Sequence, residues 1–473
     1  MKIRFLFIYS ILVFITSNVF SQVRLGSVFS DNMVLQQQSK VAIWGISSPK
    51  DKIEIIPSWN GNTYKTKCDE NGKWSMKIPT ISAGGPYTIA VKGSSEITLK
   101  NVLLGEVWLC AGQSNMEMPM KGFRGQPVKG SNDDILKSKN KNLRFMAVPR
   151  QLSVEPLDTF NSKWLEASPA TVYNFSATAY YFGKLLQEVL DVPVGLIDVS
   201  WGGSCIQSWM SRNIAVPFES TPLPEEGDVL KDGNRIPTCI FKGMLYPIIG
   251  YGIKGAIWYQ GETNFKESEI YPDLLKSMVN EWRTLWGAGE FPFYYVQIAP
   301  YDYTHFRKGD DNPKLNSAYT REAQLKAMDS IPNSGIAIIL DTGEKYSIHP
   351  SDKKTAGSRL AYWAFGNTYG IEGVGYRSPS YKAMEIKDGE IIISFNSTYG
   401  ITSYGKEIKN VEIAGEDKVF YPAKVKVRSK SMIVSSPEVK NPVAVRYAFT
   451  DYTEAELFGT DGLPVSSFRT DNW

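Results

Sequence analysis

Glu106-Val107-Trp108-Leu109-Cys110-Ala111-Gly112-Gln113-Ser114-Asn115-Met116 is the stretch on which the reading of the fold turns. Its first six residues form an almost wholly apolar run closed by a glycine, which reads as a buried strand. Ser114 follows that flexible glycine at the strand's carboxyl end. If the strand belongs to a parallel sheet, that end is where ligands bind, and the serine becomes a candidate nucleophile. The turn is not the G-x-S-x-G elbow of the α/β-hydrolases, because Met116 stands where the second glycine would be. A serine in this place is more often a helix N-cap, so the pentapeptide alone does not decide.

Outward from this stretch, residues 101–370 alternate apolar strands with longer amphipathic segments. The pattern predicts strands over 106–111, 143–148, 194–199, 255–258, 293–298 and 336–340. It predicts helices over 177–190, 271–286, 319–329 and 352–365. Such alternation implies an α/β domain whose largely parallel sheet is covered on both faces. Residues 22–100 instead show short alternating segments punctuated by Asn60-Gly61, Asn71-Gly72 and Gly84-Gly85-Pro86, the signature of a small β-sandwich. Residues 371–473 return to short strands, with Asp388-Gly389 as a hairpin signal and a second β-domain as the expectation.

Three further strand ends carry groups of chemical interest. Val194–Val199 runs into Ser200-Trp201-Gly202-Gly203-Ser204, where paired glycines allow backbone N–H groups to approach a ligand oxygen. The alternative is an ordinary tight turn. The strand ending at Trp258 leads into Tyr259-Gln260-Gly261-Glu262-Thr263-Asn264, which offers Gln260 as an amide donor and Glu262 as a loop-holding carboxylate. Asp341-Thr342-Gly343-Glu344 and Ile348-His349-Pro350 follow the last strand of the region. Only two histidines occur, and His305 lies in a polar loop with no strand leading into it, so His349 is the better candidate for a general base. Trp209, Trp258 and Tyr259 are candidates to stack on a substrate, with packing against the sheet as the alternative reading.

Composition bounds what remains. At 473 residues, 42% hydrophobic and 21% charged, the chain has the profile of a folded protein of two or three domains. A net charge of +3 with interspersed signs gives no reason to expect nucleic acid. Lys2 and Arg4 precede an apolar run from Phe5 that tails off at Phe20, so residues 1–21 read as a signal peptide and the mature chain as periplasmic or secreted, with no membrane span left after cleavage. Four cysteines are few for an exported chain; Cys205 and Cys239 are near enough in sequence to pair, though core thiols are the default. With two histidines and no CxxC, neither a metal site nor any cofactor is expected.

Taken together, residues 104–116, 200–204, 258–264 and 348–350 with Lys354 beyond, preceded by Asp31-Asn32-Met33-Val34-Leu35-Gln36, resemble the sialate O-acetylesterase family, a branch of the SGNH hydrolases. The resemblance runs from about residue 22 to the end of the chain. It implies a three-layer α/β/α catalytic domain flanked by β-domains, and removal of acetyl groups from carbohydrate, sialic acids above all. It further implies that Ser114 attacks the acetyl carbonyl, that His349 carries the proton, and that the Ser114 N–H, the Gly203 N–H and the Gln260 side chain hold the oxyanion. One position departs from the family pattern. The family places an Asp two residues before the histidine, and here that residue is Ser347. Glu344, Asp341 or a backbone carbonyl then become candidates to orient the imidazole. An acetylesterase of plant polysaccharide such as xylan, or a glycan-binding homologue without catalysis, are the alternatives.

Overall fold

The computed structural model describes residues 22–218, 223–230, 233–310, 312 and 315–473. The predicted leader therefore lies outside the described residues. Seven strands set the frame: β1 (Glu96–Gly112), β2 (Asn140–Ala147), β3 (Leu165–Ala167), β4 (Val194–Ser200), β5 (Gly255–Tyr259), β6 (Phe293–Val296) and β7 (Ser334–Ala337), in the order β3-β2-β4-β1-β5-β6-β7. All neighbours from β2 to β7 pair in parallel, and only the short edge strand β3 runs antiparallel.

Four helices cover this sheet: α1 (Ala177–Leu190), α2 (Tyr271–Trp286), α3 (Ala318–Ser330) and α4 (Lys353–Trp363). Alternation along β1 sends its side chains to opposite faces. Val107, Leu109 and Ala111 join Leu274, Leu275, Met278 and Trp282 of α2, whereas Trp108 and Cys110 join Phe182 and Leu186 of α1 and Leu360 and Trp363 of α4. Each buried Val, Leu, Phe or Met among them contributes roughly 1.5–3 kcal/mol, so both layers are held by area rather than by any one contact. Helix α1 starts where Ser176 Oγ accepts from Ala179 N at 3.1 Å, and α2 stops at Gly287 in the left-handed conformation, φ 58°.

The predicted elements differ from these mainly at their ends. Strand β6 stops at Val296 rather than 298, because the Ile298 N–H donates to the Gln324 side chain at 2.8 Å instead of to a neighbouring strand. Helix α4 ends at Trp363 and continues as a π-turn over Ala364–Thr368. Three-residue β3 is too short to show a period-two pattern, which is why it escapes prediction.

Strand β1 is longer than predicted because it serves two domains. Its first part pairs antiparallel with Gly84–Lys92 of the N-terminal β-region, Leu103–Gly105 pairs with Val34–Gln36, and Glu106–Gly112 forms the centre of the α/β sheet. The change of architecture near residue 100 thus falls inside one continuous strand. At the other end, two four-stranded antiparallel sheets follow Ser380. Buried Arg321 of α3 anchors them by donating to the carbonyls of Ala448, Thr450 and Asp451 and to Ser467 Oγ. All four cysteines are free, so the Cys205–Cys239 pairing considered above is not made: the Cys205 thiol instead contacts Ser208 Oγ and the Arg235 carbonyl.

Candidate active site

Central β1 has β4 on one side and β5 on the other, so the loops leaving the three strands diverge and open a crevice at their carboxyl ends. Register places Gly112 abreast of Ser200 and Tyr259. Gly112 has φ 142°, and a Cβ there would lie 2.2 Å from the Tyr259 carbonyl, so the turn that presents Ser114 requires glycine. Ser114 then begins a one-turn helix, Ser114–Glu117.

A cleft of about 660 Å³ opens there, lined by Ser114, Gly202, Gly203, Thr263 and His349 among others. The nucleophile and base candidates, 235 positions apart in sequence, thus share one cavity. Among the described residues, the Ser114 hydroxyl has no hydrogen-bond partner, and neither the Ser114 N–H nor the Gly203 N–H has an acceptor. The neighbouring Gly202 N–H is committed: it donates to Glu117 Oε2 at 2.7 Å, and Glu117 is ion-paired with Arg150. Gly203, with φ 75°, is thereby left as the free donor of this turn.

The orienting partner of His349 is none of the carboxylates considered from sequence. Its Nδ1 lies 2.6 Å from Gln126 Oε1, and Phe123 packs edge-on against the ring at 5.3 Å. An amide carbonyl can only accept, so Nδ1 carries the hydrogen and Nε2 is left with the lone pair a general base needs. Burial, and secondly the nearby Lys353 ammonium, lower the imidazole pKa from 6.5 to about 4, which keeps the ring neutral at neutral pH. Asp341 is bound bidentately by Arg359 at 2.5 and 2.7 Å. Glu344 accepts from the Ser351 N–H at 2.8 Å and shapes the loop. Ser347, in place of the family's Asp, points its hydroxyl at the His349 carbonyl, 3.0 Å away.

Other expectations are corrected by burial. Gln260 is fully buried, and its amide hydrogens go to the Ser204 carbonyl at 3.2 Å and Asn264 Oδ1 at 2.7 Å, while its own Oε1 accepts from Tyr271. It braces two loops from beneath and has no donor left for an oxyanion. Trp209, Trp258 and Tyr259 are at most 1% exposed, their rings buried in the apolar clusters on the faces of the sheet, where Trp209 meets Trp258 edge-on at 5.4 Å. They cannot stack on a ligand. Glu262 does support the site: it accepts from Asn115, whose amide also donates to the Ile348 carbonyl at 3.0 Å and accepts from Lys353 Nζ.

Sequence reasoning missed Gln126, Glu117 and Lys353. Glu117 left a faint signal, as an acid in the first turn of a helix. Gln126 sits in a Gly-rich loop that announces nothing, and Lys353 in Asp352-Lys353-Lys354 reads as solvated charge although it is 1% exposed.

Residues 104–362 match the carbohydrate esterase family described as sialic acid-specific acetylesterase. The chain belongs to that family. Over its length it is similar to sialate O-acetylesterases of Pongo abelii, 26% identical over 94% of this chain and 92% of the relative, and of Homo sapiens, 25% identical with the same coverage. A solved carbohydrate acetylesterase from Xanthomonas citri superimposes with a TM-score of 0.86 at 33% identity, covering 96% of this chain and all of its own. The chain shares the fold of that acetylesterase, a mainly parallel α/β sheet with added β-domains, and this carbohydrate esterase removes O-acetyl groups.

Proposed function

We propose that this acetylesterase works by a Ser114–His349 acyl-enzyme mechanism on O-acetylated sugars that carry a negative charge, sialic acids being the leading class. The observation that carries the mechanism is the cleft itself, where a free serine hydroxyl, a neutral imidazole of fixed tautomer and two unused N–H groups line one cavity. Ser114 Oγ attacks the acetyl carbon as its proton passes to His349 Nε2. The Ser114 and Gly203 N–H groups receive the charge that develops on the carbonyl oxygen. Collapse returns the proton to the departing sugar oxygen and leaves acetyl-Ser114, which water hydrolyses with His349 again as base.

Preference for an acidic sugar is supported by the cleft lining, where the cations Arg235, Lys266 and Lys308 outnumber the carboxylates Glu262 and Glu267, both of which already accept hydrogen bonds from neighbouring amides. Arg235 is held there by donating from Nε to the Gly203 carbonyl at 3.1 Å. A sugar carboxylate would find bidentate or paired donors beside the acetyl pocket. The test compares acetate release from O-acetylated sialic acid with release from acetylated xylan, in the wild type and in Arg235→Gln. A sialic acid preference that Arg235→Gln reduces through KM supports the reading; preference for neutral xylan refutes the acidic-sugar part of it.

Export to the periplasm or medium is part of the same proposal, on the strength of the basic and apolar start of the sequence. Amino-terminal sequencing of the protein recovered outside the cytoplasm tests it, with a start near Gln22 expected and an intact Met1 contradicting it.

A further inference from the structure

Asn115 follows the nucleophile candidate, and Ile348 precedes the base candidate. One side chain joins them. The Asn115 amide donates to the Ile348 carbonyl at 3.0 Å and to Glu262 Oε1, and its Oδ1 accepts from Lys353 Nζ. All three polar residues are withdrawn from solvent: Asn115 is 0% exposed, Lys353 1% and Glu262 4%. The second carboxylate oxygen of Glu262 has no partner. Two buried ionisable groups bridged by an amide, with a carboxylate oxygen left unsatisfied, are no aid to stability, since well-packed apolar residues in their place are often neutral or stabilising.

The arrangement has a directional consequence. A backbone carbonyl can only accept, so the Ile348 carbonyl fixes which way the Asn115 amide faces even though burial lowers the Lys353 pKa to about 7 and raises that of Glu262. With its oxygen fixed on Lys353, its NH₂ must face Glu262 and the Ile348 carbonyl. The loop carrying Ser114 is thereby fastened to the loop carrying His349.

We propose that Lys353 and Glu262 are positioning residues for the esterase reaction, acting through Asn115 to set the spacing of Ser114 and His349. This rests on the Ser114–His349 reading above. A displacement of about 1 Å between reacting groups can cost on the order of a hundredfold in rate, so the lock is read in kcat rather than in KM. Lys353 has a second, electrostatic reach. The groups facing His349 are the Lys353 ammonium, the Gln126 carbonyl and the Phe123 ring, while Lys353 itself faces Glu262, Glu344, Asp352 and the Tyr259 ring. Removing the ammonium takes away a neighbour that lowers imidazole basicity.

The test uses the full chain with p-nitrophenyl acetate, reading kcat, KM, the acid limb of kcat/KM and Tm. Lys353→Met is expected to lower kcat about tenfold to a hundredfold with KM nearly unchanged, and to move the acid limb to higher pH. Glu262→Ala is expected to lower kcat about tenfold, and Glu262→Gln, which keeps an acceptor for Asn115, to restore most of it. A folded Lys353→Met protein with the kcat and acid limb of the wild type overturns the proposal, whatever its Tm. Should Lys353→Met fail to fold, equal kcat in the two Glu262 variants overturns it. Ser114→Ala separates the levels: full activity there defeats the Ser–His reading itself, whereas an inactive Ser114→Ala beside an unaffected Lys353→Met defeats only the lock.

Discussion

Replacing Gln126 by Glu puts a carboxylate where the neutral carbonyl now lies 2.6 Å from His349 Nδ1. Two unit charges about 4 Å apart interact by ~4 kcal/mol at an effective dielectric of about 20. Both side chains are only half-buried, and allowing solvent to screen roughly half of this leaves about 2 kcal/mol in favour of the imidazolium. At 1.36 kcal/mol per unit, that raises the imidazole pKa by about 1.5 units. In the wild type the ring stays a free base as pH falls, until it protonates at about 4, and the acid limb of kcat/KM is expected there. In Gln126→Glu the limb should appear near 5.5, because the carboxylate stabilises the protonated ring and removes the base at higher pH. The same charge stabilises the imidazolium formed during acyl transfer, so turnover at pH 7 should rise, by at most about thirtyfold. The assay is a kcat/KM profile on p-nitrophenyl acetate from acid to neutral pH. An acid limb that stays in place in Gln126→Glu would refute the assignment of Gln126 as the imidazole's partner.

Three other outcomes follow from the geometry. Gln260→Ala should lower stability by about 1–3 kcal/mol through its lost buried hydrogen bonds, seen as a fall in Tm, while the folded enzyme keeps most of its kcat; a hundredfold loss of kcat with unchanged Tm would restore it as an oxyanion donor. Asp341→Asn should weaken its pairing with Arg359 and lower stability by about 1.5–3 kcal/mol in a denaturant titration, leaving the pH–rate profile where it was. Reducing agent should leave Tm unchanged, since no described cysteine is in a disulfide, and a drop on reduction would contradict this.

The frame of the catalytic domain could be read from sequence because its elements bury continuous apolar faces. Helices over 177–190 and 271–286 match α1 and α2 at both ends, since Ser176 and Gly287 punctuate them chemically as well as by period. Ser114, Gly203 and His349 were legible as strand-end residues once the sheet was taken as parallel, and they do line one cleft. What escaped was decided by tertiary contact. Gln126 reaches His349 across 223 positions, and Lys353 is buried only because Glu262 and Asn115 converge on it. Conversely, Gln260 and the aromatics Trp209, Trp258 and Tyr259 stand in or beside the right motifs, yet their side chains go down into the layers and not up into the cleft. A strand-end position fixes which edge of the sheet a residue occupies; which way its side chain turns depends on what waits for it there.

Acylation of Ser114 can be trapped during turnover. Wild-type protein is quenched in acid during turnover of p-nitrophenyl acetate and digested, and the acetylated peptide is located by mass spectrometry. A single acetyl group is expected on the peptide containing Ser114, lost on further incubation in buffer and absent from Ser114→Ala. Acetate release at the wild-type rate from Ser114→Ala, or a turnover-dependent acetyl group on another residue, would contradict it.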